Sequence, residues 1–168
     1  MKLALYILFT ASVLTTSFVK KENKTVISST QKAQTAIDRD SIITYAKKYL
    51  GTPYLYASND PKKGFDCSGF VSYVFNNFGI SLPRSSSGYK NIGTALTPED
   101  FKVGDILVFY GYKDKTMISH LGIICEANGM KSKFIHSSSG KTSGVTISEL
   151  GSEHYTNRFY KCIDVISK

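Results

Sequence analysis

The chain has 168 residues, with 42% hydrophobic and 20% charged side chains and a formal net charge of +8 at pH 7. These values are ordinary for one globular domain with a hydrophobic core and a short leader. The basic residues form no dense run and no stripe interleaved with aromatic residues, so the sequence argues against a nucleic-acid partner.

The N-terminal end of the sequence has the pattern of a targeting segment. Lys2 precedes a mostly apolar run over residues 3–14, and small residues follow it. Such a run is typical of a signal peptide and is too short to indicate a membrane span. We therefore expect a signal peptide over 1–17, a polar linker over 18–36 and a folded domain over 37–168. The protein is then exported to the periplasm or cell envelope, or secreted; the alternative is a buried N-terminal helix.

The first predicted helix opens the folded domain. Asp40 or Ser41 is its expected cap, residues 42–50 carry an apolar stripe, and Gly51 ends it. A polar loop over residues 57–65 then leads to the next element.

The second predicted helix begins at the Asp66-Cys67-Ser68 segment and ends near Phe78, before Gly79. Cys67 is the first residue of the stripe that faces the core. A thiol at a helix N-terminus lies near the positive end of the helix dipole and near unpaired N–H groups, and both favour the nucleophilic thiolate. The same N–H groups can hold an oxyanion. Cys67 is therefore a candidate nucleophile; the alternative is a buried structural cysteine.

The rest of the chain is predicted to form mainly strands. The expected strands are Ile106–Tyr110, Leu121–Cys125, one beginning with Phe134–His136, Val145–Ile147 and Tyr160–Ile166. Because helices come first and strands follow, the pattern predicts an α+β fold with an antiparallel sheet. Cys125 and Cys162 lie in these apolar strands, where they fit as small buried residues, and a disulfide between them stays open.

A pair of histidines is expected on the sheet. Residues 127–129 fit a three-residue hairpin loop with Gly129 in the left-handed region. That register places His120 and His136 opposite each other on one face, where one ring can orient the other as a base. A two-residue turn would place them on opposite faces. His154 lies in a polar stretch and is predicted to be at the surface.

Zinc binding is a rival use of one cysteine and two histidines. Thiolate and imidazole are suitable zinc ligands, but the sequence contains no close ligand pair such as CxxC or HxxxH. We therefore expect no metal and no cofactor.

Several polar residues near Cys67 have two interpretations. Asp66 and Ser68 could cap the helix, or could hydrogen-bond a substrate amine or amide. Tyr54 could be a core residue or a phenol that points into a cleft. Arg84 could pair with a substrate carboxylate, but a solvated loop charge is the preferred interpretation.

The order of short motifs resembles that of NlpC/P60 cysteine peptidases over roughly residues 38–168. Each motif alone is weak, but the combination is specific. The motifs are GTPY at 51–54, FDCSGFV at 65–71, LPRS at 82–85, VGDI at 103–106, HLGI at 120–123 and FIHS at 134–137.

The resemblance implies a papain-like NlpC/P60 fold, with N-terminal helices packed on a central antiparallel β-sheet. It implies Cys67 as nucleophile, His120 as general base and acid, and His136 as the third member of the triad. By the same resemblance, a pocket for the free amino end of a peptidoglycan stem peptide is lined by Tyr54, Asp66 and Ser68. Family members typically hydrolyse the bond between γ-D-glutamate and a diamino acid in such stems. We expect a monomer whose partners are peptidoglycan stem peptides or muropeptides.

The sequence departs from the family pattern near the pocket. The usual Gly-Gly after the tyrosine segment is Ala57-Ser58, and the loop that leads to Cys67 is long. Two other functions stay open: a peptidoglycan-binding module without catalysis, and a thiol amidase or acyltransferase that acts on another acyl substrate.

Overall fold

The computed structural model describes residues 37–140 and 143–167. The predicted signal peptide and linker lie outside the described residues. Among the described residues, no helix is both long enough and apolar enough to span a membrane.

In the described chain, the two longer helices precede the five strands of the main sheet, and this α+β arrangement confirms the predicted fold class. The helices are α1 (Arg39–Lys47), α2 (Cys67–Asn76) and α3 (Glu153–Thr156). The strands are β1 (Asn59–Asp60), β2 (Gly64–Phe65), β3 (Ile106–Tyr110), β4 (Ile118–Glu126), β5 (Lys133–Ser138), β6 (Gly144–Glu149) and β7 (Phe159–Ile163).

Five strands form one antiparallel sheet in the order β6-β5-β4-β3-β7, while β1 and β2 form a separate small hairpin in the loop before α2. Helices α1 and α2 contribute to a large hydrophobic cluster together with Val108, Leu121 and Ile123 of the sheet. A second cluster includes Leu107, Phe109, Ile124 and Phe134 of the sheet. Because adjacent strand residues point to opposite faces, the sheet has an apolar cluster on each face.

Helix α1 begins slightly earlier in the sequence than predicted. Asp38 is the N-cap, and its carboxylate accepts hydrogen bonds from the backbone N–H groups of Asp40 and Ser41. The predicted caps therefore lie in the first turn and are held by the true cap. Gly51 follows the helix with a φ of 84°, a left-handed conformation that glycine adopts readily.

Helix α2 begins where the sequence predicted. Asp66 is its N-cap, and Oδ1 accepts a hydrogen bond of 2.6 Å from the backbone N–H of Gly69. The first turn also packs tightly against the preceding loop, since a Cβ atom added at Gly69 would lie 2.1 Å from the carbonyl oxygen of Ser58. Both contacts fix the position of Cys67, which lies between Asp66 and Gly69 at the start of the helix.

The connection between β4 and β5 is longer than the predicted hairpin loop. Residues 127–132 separate the two strands. The pairs Ile123↔Ile135 and Ile124↔Phe134 define a register that differs from those of the three-residue and the two-residue turn. His120 and His136 are therefore diagonal neighbours on one face instead of a directly opposed pair. Their shared face and the left-handed Gly129, with a φ of 52°, agree with the prediction.

All three cysteines, Cys67, Cys125 and Cys162, are free thiols. The possible disulfide between Cys125 and Cys162 does not form. Cys162 is fully buried and Cys125 nearly so, as the interpretation of both as small apolar residues expected.

Replacement of Gly69 by alanine tests whether the first turn of α2 is packed as tightly as described. The new methyl group has to displace the Ser58 carbonyl, so Gly69→Ala is expected to lower the free energy of unfolding by about 1–3 kcal/mol. Urea unfolding measures this change. Ser72→Ala, in the same helix, is the control and should change the free energy of unfolding by less than about 0.5 kcal/mol. Equal effects of the two substitutions would contradict the packing described.

Candidate active site

The predicted nucleophile lies where the sheet opens. The pairing of β4 with β5 ends at Ile123↔Ile135, although both strands continue beyond it. The N-terminus of α2 and the end of β2, which precedes it, contact these strands in this opening. The Cys67 thiol donates to the carbonyl oxygen of Ser119 in β4 at 3.6 Å, and the Ser137 hydroxyl in β5 donates to the carbonyl oxygen of Phe65 at 2.7 Å. The Cys67 thiol therefore bonds to a backbone carbonyl group of β4 in the part of the strand that no longer pairs with β5.

The Cys67 thiol is protonated at neutral pH. Its side chain is buried, and burial together with the nearby Asp66 carboxylate raises the pKa of the thiol to about 11. Hydrogen bonds from the backbone N–H groups of Leu121, Ser68 and Cys67 favour the thiolate but offset only part of this rise. The N–H groups at the helix start thus favour the thiolate, as predicted, but the cost of burying the charge is larger.

The two predicted histidines are in direct contact. His120 Nε2 and His136 Nδ1 are 2.8 Å apart, and the two ring planes are perpendicular. His136 Nε2 lies 2.9 Å from Ser148 Oγ and 3.4 Å from the Tyr155 hydroxyl. These contacts fit two tautomer arrangements. In one of them His136 Nε2–H donates to Ser148 and His120 Nε2–H donates to His136, which leaves the lone pair of His120 Nδ1 available.

Both histidine rings are neutral at pH 7. Burial lowers the pKa of His136 to about 3, and burial together with His136 lowers the pKa of His120 well below 6.5. The apolar surroundings explain why both pKa values are lowered, since Phe109 packs near the ring of His120 and Phe134 near that of His136. A charged imidazolium in this environment would lose its hydration without gaining a carboxylate partner.

Cys67 and His120 are neighbours without a hydrogen bond between their side chains. The sulfur contacts the carbonyl group of Ser119, the residue directly before His120. Within residues 37–140 and 143–167, no hydrogen bond joins Cys67 Sγ to the His120 ring. The two side chains line different clefts, and Ser119 lines both. The structure thus brings the two histidines together and places the thiol beside them.

The first cleft has a volume of about 350 Å³ and contains the sulfur. The predicted substrate-binding residues Tyr54, Asp66 and Ser68 all line it, together with Arg84. The guanidinium group of Arg84 donates to both carboxylate oxygens of Asp66, at 2.9 and 2.8 Å. The preferred interpretation of Arg84 as a solvated loop charge is therefore wrong, because Asp66 holds it at the cleft in a bidentate ion pair.

The departure from the family motif affects one wall of the first cleft. Ala57 lines this cleft and has a φ of 58°. This left-handed conformation is one that glycine adopts without strain and alanine does not. Ala57 thus has a backbone conformation suited to glycine, at a position where the family pattern has a glycine.

The second cleft, of about 380 Å³, lies on the His120 side. Besides His120 it is lined by Tyr112, His154, Tyr155 and Arg158 and by small residues between 119 and 140. His154 is exposed, as predicted, but it forms part of the cleft wall through a contact of 2.9 Å between its Nε2 and Nη1 of Arg158.

Three contributors to the site escaped prediction: Ser119, Ser148 and Tyr155. Ser148 reaches His136 only because β6 pairs with β5 in the register Phe134↔Ser148 and His136↔Thr146. The alternation of β6 indicated which of its residues share a face, but not where they lie along β5. Tyr155 belongs to α3, a single short turn for which the sequence carries no periodic signal.

Within the described part of the chain, no three His, Cys, Asp or Glu side chains form a cluster that could hold a metal ion. The Cys67 thiol and the His120 and His136 rings make other contacts, to Ser119, to each other and to Ser148. The site thus contains a thiol and two imidazoles that are held by contacts within the protein.

Comparisons with known proteins give one consistent match. The model of the NlpC/P60 family matches residues 51–164. The chain is 38% identical over 118 residues to a gamma-DL-glutamyl hydrolase of Bacillus subtilis, covering 70% of this chain and 27% of that protein. It is 33% identical over 84 residues to the bifunctional muramidase/DL-endopeptidase CwlT of the same organism, covering 50% of this chain and 26% of that protein.

The solved structures agree with the sequence comparisons. An NlpC/P60 family protein from Bacillus cereus superposes with a TM-score of 0.68 at 27% identity, covering 78% of this chain and 41% of that chain. The chain thus spans about a quarter of the length of the two curated relatives and less than half of this structure.

The buried neutral state of His136 predicts a pH-dependent stability. The pKa of His136 is about 3 in the folded protein, against 6.5 when the residue is unperturbed. Between these values the unfolded chain binds more protons, so stability that is present above pH 6.5 is lost as the pH falls toward 3. The free energy of unfolding should fall by about 1 kcal/mol per pH unit on account of this ring.

Urea unfolding between pH 7 and pH 4 measures this dependence. His136→Gln keeps a side chain that can hydrogen-bond but does not titrate, so its stability should fall less steeply than that of the wild type. Parallel pH profiles for the two proteins would show that His136 is not held neutral by the fold.

Proposed function

The chain belongs to the NlpC/P60 family, and from this premise we propose that it is a cysteine endopeptidase that hydrolyses the peptide stems of peptidoglycan. The bond proposed is the one between γ-D-glutamate and a diamino acid. The names of the two Bacillus subtilis relatives, a gamma-DL-glutamyl hydrolase and a DL-endopeptidase, support this choice. A cell-wall substrate also supports the predicted export of the protein.

One observation carries the proposal: a neutral, hydrogen-bonded histidine pair lies beside a thiol at the start of a helix. His136 fixes the ring of His120 at 2.8 Å, and Cys67 contacts the residue next to His120 in the chain. A ring oriented in this way can act as a base toward the thiol after a small rearrangement of the cysteine side chain. A structural role does not require a second histidine to hold the first.

In the proposed acylation step, His120 Nδ1 accepts the thiol proton while the Cys67 sulfur attacks the γ-carbonyl carbon of the D-glutamyl residue. Both groups are neutral in the free protein, because burial raises the pKa of the thiol and lowers that of His120, so the proton is proposed to move as the sulfur attacks. Backbone N–H groups at the start of α2, including that of Cys67, are proposed to stabilise the oxyanion. The protonated His120 then gives its proton to the leaving amine, the C–N bond breaks, and a thioester remains.

In the proposed deacylation step, water replaces the amine product. His120 Nδ1 accepts a proton from this water as the water oxygen attacks the thioester carbon. The second tetrahedral intermediate collapses with cleavage of the C–S bond, and the proton returns to the Cys67 sulfur. His136 and Ser148 hold the His120 ring in one orientation throughout, which is the role proposed for the third member of the triad.

The first cleft is proposed to bind the acyl half of the substrate. Asp66, Ser68 and Tyr54 line it beside the sulfur, and a free L-alanyl amine one residue before the D-glutamyl group would reach them. The Asp66 carboxylate also pairs with Arg84, so it would share its oxygens between the guanidinium and the amine. Binding of the amine would then depend on the geometry of the Asp66–Arg84 pair.

A second candidate, a non-catalytic peptidoglycan-binding module, is favoured by one observation. The free protein has no hydrogen bond between the Cys67 thiol and the His120 ring among its described residues, and its thiol pKa is high. Such a module would bind peptidoglycan in the clefts and would not need the thiol to react. The oriented histidine pair argues for the enzyme, since a binding module would not need it.

Substitution of Cys67 separates these two functions. Cys67→Ala should lower kcat/KM for hydrolysis of a purified stem peptide at least about 1,000-fold, because no other side chain replaces the nucleophile. Mass spectrometry of the products measures the rate and identifies the bond cleaved, which also separates hydrolysis from acyl transfer. Cys125→Ala, which removes another free thiol, is the control and should remain active. Full activity of the Cys67 variant, or inactivity of the wild-type protein, would contradict the proposal.

A further inference from the structure

Among the residues that the structure describes, the second cleft has a positive charge and no negative one. Its described lining contains Arg158, His120 and His154, together with tyrosine, serine and glycine, but no aspartate or glutamate. The first cleft differs in this respect, since its arginine is neutralised by Asp66. The two clefts are therefore suited to different chemical groups.

Arg158 is fixed in place by two of its nitrogens. Its Nε donates to the carbonyl oxygen of Tyr110 at 3.0 Å, and Nη1 donates to His154 Nε2 at 2.9 Å. Nη2 has no hydrogen-bond partner, and no carboxylate forms an ion pair with Arg158, among residues 37–140 and 143–167. The guanidinium is half-buried, and this burial lowers its pKa. A fixed, half-buried cation without a carboxylate partner among these residues favours an anionic ligand.

The position of Arg158 relative to His120 indicates which part of a substrate would meet it. The ring of Tyr155 stacks on that of His120 at 6.2 Å between centroids, and it contacts the ring of His154 at 4.8 Å. Arg158 lies next to His154, and it lines the second cleft with His120, whereas Cys67 lines the first. In the proposed reaction His120 protonates the leaving amine, so the departing half of the substrate would occupy the second cleft.

We propose that Arg158, held by Tyr110 and His154, binds a carboxylate of the departing diamino acid and so selects stems in which that carboxylate is free. This inference rests on the proposed function, because it assigns the second cleft to the leaving half of the same substrate. Arg158 is a specificity residue in this proposal, and it takes no part in bond cleavage.

Two sources can supply the carboxylate. One is the α-carboxylate of the diamino acid when it ends the stem; the other is the side-chain carboxylate of a diaminopimelate-type residue. Both present two oxygens to a planar guanidinium. Lysine has only the first, so peptides that contain each diamino acid distinguish the sources.

The test compares four peptides with the full-length protein. They are L-Ala-γ-D-Glu-L-Lys, the corresponding meso-diaminopimelate peptide, and the form of each in which the α-carboxylate of the diamino acid is an amide. The wild type, Arg158→Gln, Arg158→Lys and the control Lys131→Gln are assayed by kcat/KM. Lys131 is exposed and lies in the turn at the opposite end of β4 and β5, so its substitution removes one charge away from the cleft.

The expected result is a preference of about tenfold for the free carboxylate in the wild type and in Lys131→Gln, as one charge-assisted hydrogen bond provides. Arg158→Gln should lose this preference, and Arg158→Lys should keep part of it. If the side-chain carboxylate is the ligand, the diaminopimelate peptides are preferred to the lysine peptides instead, and Arg158→Gln loses that preference.

A structural role for Arg158 would slow all four reactions by the same factor, so ratios unchanged by Arg158→Gln would overturn the inference while leaving the proposed function intact. The inference is also overturned if the wild type cleaves all four peptides equally well. If the wild type cleaves none of them, the proposed function fails, and the inference that rests on it fails with it.

Discussion

The insertion of the α2 N-terminus between two strands is the interaction on which the site depends. Beyond Ile123 and Ile135, β4 and β5 cease to pair; Cys67 at the start of α2 bonds to β4, and Phe65 of β2, just before the helix, accepts a hydrogen bond from Ser137 of β5. Backbone groups in a sheet interior need partners, so these contacts help to stabilise the opening. This arrangement brings a thiol next to His120 and separates two clefts at Ser119.

The electrostatic character of the site follows from that burial. The environment that holds Cys67 and the histidine pair also disfavours charge on each of them, so thiol and imidazoles are neutral in the free protein. The fixed charges lie farther out, with Asp66 and Arg84 paired in one cleft and Arg158 without a carboxylate partner, among the described residues, in the other. A neutral centre between differently charged clefts suits a substrate with an amine in its acyl half and a carboxylate in its departing half.

The sequence predicted the elements of this site better than their connections. Helix periodicity and the Asp66 cap located the start of α2, and apolar runs located β5 with His136 and the part of β4 that directly follows His120. The register between β4 and β5 was wrong, because it depends on a six-residue connection whose conformation local turn preferences do not determine. Ser119, Ser148 and Tyr155 were missed for a related reason. Each acts through a contact distant in sequence, and no local pattern distinguishes such a residue from a surface one.

The orientation of the His120 ring tests the account most directly. Nitrogen-15 NMR of the imidazole rings in the wild-type protein reports which nitrogens carry protons. The account predicts that at pH 7 both histidines are neutral with their protons on Nε2, so that His120 Nδ1 presents a lone pair, and that both remain neutral well below pH 6.5. A proton on His120 Nδ1 at pH 7, in either a neutral or a charged ring, would contradict it.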